Sequence, residues 1–161
     1  MNNSPELLAL QQAYRVCRVH DEALSDVLVD LGQRRLNSAD LDVLGKADRR
    51  LLDQFAYRYT RLQDDMGARL IPAVLRALGE DVAAMPVLDR LSRMEQLGWL
   101  PSAEKWADLR RIRNEFAHDY PETIDERFER LQMAISAAQA LSETFTFLSH
   151  KIRERFNGME L

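Results

Sequence analysis

A chain of 161 residues, 46% apolar and 30% charged, has the size of one compact domain and is too apolar for a disordered segment. Its formal net charge of -4 excludes a general coat of positive charge for holding duplex DNA, and leaves room for a local basic cleft. The single cysteine, Cys17, excludes an internal disulfide and a cysteine-rich zinc site. The N-terminal MNNSPELLALQQAYR carries no basic segment followed by an apolar run, and no stretch approaches the ~18 apolar residues of a membrane span. A reducing cytoplasm is the expected setting, with no membrane partner.

Helical periodicity dominates and strand alternation is almost absent. The first helix is expected to start at Ser4-Pro5, with serine as N-cap and proline in the first turn, and to end near Leu31-Gly32. Leu7, Leu10, Tyr14, Cys17, Leu24, Leu28 and Leu31 form its apolar stripe. Asp21 interrupts that stripe with His20 beside it; we read them as a hydrogen-bonded or water-facing pair and assign them no role. After a loop around Asn37 to Gly45, a second long helix spans about Asp48 to Leu78, with Leu51, Leu52, Phe55, Tyr59, Leu62, Met66, Leu70 and Val74 on one side. Gly79 ends it, and Pro72 predicts a kink or break near Arg69. A shorter helix follows Pro86, carrying Val87, Leu88, Leu91, Met94 and Leu97, and Gly98 stops it in the left-handed conformation. Ser102 caps the next helix, which bears Trp106, Leu109, Ile112 and Phe116 before Pro121. The last helix, about Ile124 to Phe156, repeats apolar residues in steps of three and four. Short connections between long amphipathic helices predict an all-α antiparallel bundle of about five helices in a single domain, residues 1–161.

The stretch RRIRNEFAHDYPE, residues 110–122, departs from this bland pattern. At about 100° per residue, Trp106, Leu109, Phe116 and Ala117 all fall within about 60° of Arg113 on the helical wheel. A guanidinium at the centre of an apolar face requires either a carboxylate opposite it or a solvated, concave site into which it points. His118 lies five residues later, about 140° away on an unbroken helix. Pro121 disfavours helix at Tyr120, so the helix is expected to end near His118 or Asp119. A turn there lets the histidine swing back towards Arg113, or meet the arginine of a second subunit. These residue types suit RNA cleavage without a metal. Histidine can take the proton of a 2'-hydroxyl near neutral pH, and arginine can stabilise charge building on the phosphate.

Arg113, four intervening residues, His118, Asp119 and Tyr120 match the Arg-x4-His-x-Tyr signature, and the chain resembles HepT-like toxins of the HEPN superfamily. Asn114 is the polar residue often found directly after that arginine. The wider WADLRRIRNEFAHDYP and the stretch YRYTRLQDDMGARLIPAVL, residues 57–75, look like segments of bacterial HEPN proteins. The resemblance implies a HEPN-like helical bundle and a metal-independent endoribonuclease without cofactor. In that family, dimerisation lines one cleft with the arginine and histidine of both chains, here Arg113 and His118. It also implies an antitoxin partner, a minimal nucleotidyltransferase of the MntA type, which transfers AMP to the signature tyrosine, here Tyr120. A bulky anionic group two residues from His118 would oppose phosphate binding.

The second long helix is locally basic, with Lys46, Arg49, Arg50, Arg58, Arg61, Arg69 and Arg76 against Asp48, Asp53, Asp64 and Asp65. Arg58 and Arg61, beside Tyr57, are candidate RNA contacts, to be weighed against an ordinary solvated face. Asp64-Asp65 lacks a histidine or a further carboxylate at metal-binding spacing, so no metal is assigned. Trp99 and Trp106 read as core or interface anchors. The competing functional class is a non-catalytic HEPN-like partner or substrate-binding subunit of a nucleotidyltransferase.

Overall fold

The protein is described by a computed structural model covering residues 4–118 and 123–161. Ser4 starts the first helix as its chemistry dictates, its hydroxyl accepting from the Leu7 amide at 3.3 Å with Pro5 in the first turn. The α-helices are α1 (Pro5–Arg34), α2 (Lys46–Asp65), α3 (Ile71–Ala77), α4 (Val87–Gln96), α5 (Ala103–His118) and α6 (Ile124–Arg155). A π turn, Met66–Leu70, joins α2 to α3 without leaving the helical conformation, so the six segments make five rods of an all-α bundle. Among the described residues there is no strand.

Contacts between the rods fix their directions. Arg34, at the end of α1, grips Asp48, near the start of α2, through bonds of 2.7 and 2.6 Å, whereas His20, further back in α1, meets Asp65 at the far end of α2. The two helices therefore run antiparallel. Asp21 receives the Ser142 hydroxyl and Tyr14 the Arg153 guanidinium, which sets α6 antiparallel to α1. Arg130 of α6 reaches the Glu115 carbonyl while Leu109 and Ala140 line one groove, so α5 and α6 are antiparallel as well. The core between them holds Leu10, Tyr14, Cys17 and Leu24 of α1, Phe55, Tyr59 and Leu62 of α2, and Leu141, Phe145 and Leu148 of α6. Burial holds the Cys17 thiol up at about 12, so this cysteine is an unreactive packing residue at neutral pH.

Three details differ from expectation. The first helix passes through Gly32 to Arg34, because the paired grip on Asp48 ties down its last turn, and it ends with Arg35 in the left-handed conformation at φ 49°. Pro72 does not break the helix near Arg69; a π turn there takes up one extra residue, with the Ile71 amide bonding the Met66 carbonyl. Val87 and Leu88 do not join the core, Leu88 being 72% exposed, since α4 is short and turns only Leu91 and Met94 inward.

The π turn also brings Gly67 against α5, where an added Cβ would lie 3.4 Å from Cζ2 of the buried Trp106. Gly67→Val should overpack this contact and cost roughly 1–3 kcal/mol in urea unfolding. A variant as stable as the parent would contradict this close helix approach.

Candidate functional site

Ser102 and Glu95 cap the start of α5, their side chains accepting from the Lys105 and Ala103 amides at 3.1 Å, and so fix where the helix begins and hence its register. That register turns Arg113 into the α2/α5 seam, where its Nη2 donates to Oδ2 of Asp64 at 2.6 Å. The two alternatives raised by the sequence are thereby resolved in favour of a carboxylate, although an exposed one. The arginine side chain is only 14% exposed and Asp64 is 47% exposed. Phe116, one turn on, packs edge-on against Phe55 and tilted against Tyr59, both at 5.8 Å between ring centres. Tyr59 is fully buried, which raises the pKa of its hydroxyl even though the Arg113 charge pulls the other way. The Tyr59 hydroxyl, the Arg113 Nε and both ends of the Gln63 amide are buried without a hydrogen-bond partner among the described residues. The arginine thus has an inner edge turned into the protein and an outer edge near solvent.

His118 and Asn114 occupy a different flank of α5 and are exposed. The helix remains intact through His118, so no turn precedes the histidine to carry it back towards Arg113. About 140° of helical rotation separates the two side chains, and one chain does not bring them together. Ala117 and Arg110 lie on the exposed surface between them. Tyr120 lies outside the described residues.

A second polar centre bridges α1 and α2. His20 does not pair with its neighbour Asp21. Instead its Nε2 lies 3.3 Å from Asp65 and its Nδ1 3.1 Å from an Arg58 nitrogen, while Asp21 turns away to Ser142 on α6. Arg58 also lies over the Tyr57 ring, 5.3 Å from its centre, and Arg61 stands 3.8 Å from Asp65. Of the two candidate RNA contacts, Arg58 is partly committed to this cluster, whereas half of the Arg61 side chain remains exposed. Asp64 and Asp65 diverge to α5 and α1, a geometry that gives no shared metal site. Trp99 and Trp106 are both buried.

Burial and the nearby Arg58 and Arg61 charges lower the His20 pKa below its ordinary 6.5, against the opposing pull of Asp65. The unfolded chain therefore binds this proton more readily than the folded one. The stability associated with neutral His20 is complete above pH 6.5 and is lost as pH falls below it. Asp21, raised by burial from 3.8, titrates with the opposite sign. Unfolding followed from neutral pH down to the onset of carboxylate titration should show stability falling with pH, and His20→Gln should flatten that slope. An unchanged slope would remove His20 as its source.

Comparison with protein-family models, with curated proteins and with solved structures finds no match. The geometry of this chain must carry its own reading. Asp64 is the neighbour that sequence reasoning missed; it stands 49 positions before Arg113, and the only available signal was the requirement for some carboxylate. The His20, Arg58 and Asp65 cluster was missed too, and its one signal was a histidine bordering the apolar stripe of α1.

Proposed function

We propose that this chain is the toxin of a bacterial toxin-antitoxin pair, a metal-independent endoribonuclease of the HepT-like, HEPN class. The observation that carries the proposal is the Arg113 guanidinium, 14% exposed in the α2/α5 seam and bonded to the half-exposed Asp64, with the exposed His118 farther along the same helix. One chain supplies one arginine and one histidine on separate flanks. A two-fold pairing of the α5 ends places both copies in one cleft, since a two-fold axis sets identical surfaces against each other. The neighbouring α5/α6 groove, lined by Leu109, Ile112, Met133 and Ala137, offers apolar surface for that pairing.

In such a cleft one histidine takes the proton of the 2'-hydroxyl. The resulting oxygen attacks the adjacent phosphorus, and the second histidine protonates the departing 5'-oxygen. The arginines neutralise the charge that builds on the phosphate oxygens. Arg58 and Arg61 extend the phosphate path, with the exposed Tyr57 ring available for stacking a base. A cognate MntA-like nucleotidyltransferase silences the enzyme by placing AMP on Tyr120. Sedimentation at micromolar concentration should give a dimer; a protein that is only monomeric fails the proposal.

The Arg113–Asp64 ion pair favours a second reading, a non-catalytic binding subunit of a nucleotidyltransferase in which the arginine is structural. Growth arrest on expression, relieved by His118→Ala, supports the toxin; no arrest under the same expression supports the binding subunit.

A further inference from the structure

The proposed reaction requires Arg113 to receive an RNA phosphate, and the inference that follows rests on that reading. A guanidinium engages a two-oxygen partner best along one of its two-nitrogen edges. The Nε of Arg113 is buried and faces inward, so that edge is closed to a ligand arriving from solvent. The Nη1/Nη2 edge remains, and its Nη2 is already bonded to Asp64 at 2.6 Å.

We infer that Asp64 competes with the RNA phosphate for Arg113, and so sets how tightly the centre takes its substrate. The carboxylate occupies the position that one phosphate oxygen needs, and its charge opposes the approach of the phosphate. Among the described residues Arg113 is its one bonded partner: Asp64 is about half exposed, and the nearby Arg61 is turned to Asp65 rather than to it. It can therefore rotate into water when a stronger anion arrives. In the free protein it keeps a nearly buried guanidinium paired and oriented, which avoids an uncompensated charge in the seam. Affinity and stability are consequently opposed at this position.

The test uses the intact chain and a fluorescent single-stranded RNA carrying 2'-O-methyl groups, which can bind but lacks the attacking hydroxyl. Anisotropy titrations at one salt concentration compare the parent, Asp64→Asn and Asp64→Glu. The asparagine keeps the shape and an acceptor but loses the charge, and it should bind about three- to tenfold tighter while unfolding at lower urea. The glutamate restores the charge and should return affinity to near the parental value. A merely structural Asp64 predicts the reverse, weaker binding by the asparagine variant. Equal or weaker binding by Asp64→Asn, with the parent binding normally, overturns the inference and leaves the functional reading intact. No binding by the parent overturns that reading and this inference together.

Discussion

Replacing His118 with alanine should reduce RNA cleavage by about 10²–10⁴-fold, the usual contribution of a positioned acid or base, and leave stability within about 0.5 kcal/mol. The second expectation follows from exposure at the last residue of α5, where the side chain supports no core packing. Arg113→Ala should lose cleavage on a similar scale for a different reason, since charge on the phosphate goes unneutralised. It should also lower stability, because a side chain only 14% exposed in the α2/α5 seam is removed. The half-exposed Asp64 left behind is hydrated and adds little to that loss. Initial cleavage rates and urea unfolding on the same preparations separate the two cases. Undiminished cleavage by the His118 variant, with the fold retained, removes histidine from the chemistry.

Tyr120→Phe should abolish silencing by a cognate nucleotidyltransferase. The phenol oxygen is the expected acceptor of AMP, and phenylalanine offers none, so transfer at this position should fall to background. Each AMP would add a negative charge and a bulky base two residues from His118, where the proposed cleft is to receive phosphate. Co-expression followed by intact-mass measurement should show one or more AMP masses on the parent chain and none on the variant, which should stay toxic. Equal AMP addition to both, or neutralisation with no added mass on either, would place the control elsewhere.

What the sequence made legible was local chemistry. Ser4 and Pro5 start α1, Gly98 at φ 77° follows α4, and the three-and-four spacing of α6 is realised from Ile124 to Arg155. Each of these depends on residues within a turn or two of one another. The central arginine was legible in the same way, as a charge on an apolar face in need of a partner. The identity of that partner was not, because Asp64 belongs to another helix and its pairing depends on how α2 and α5 are set against each other. The partners of His20 and Asp21 were hidden for a related reason: adjacent residues on a helix point about 100° apart, so the two find separate neighbours on other helices. Pro72 announced a disturbance near Arg69, but only the packed helices decide whether it becomes a break or a π turn.

The dimeric ribonuclease is the central claim, and the ends of its products test it most directly. Purified protein incubated in EDTA with defined tRNAs and an mRNA should cut them through attack of the 2'-oxygen. The fragments should then carry a 5'-hydroxyl and a 2',3'-cyclic or 3'-phosphate, and a single 2'-deoxy nucleotide at the cleaved position should block the cut. RNA left intact, fragments bearing 5'-phosphates, or the same fragments from a His118→Ala preparation would contradict the account.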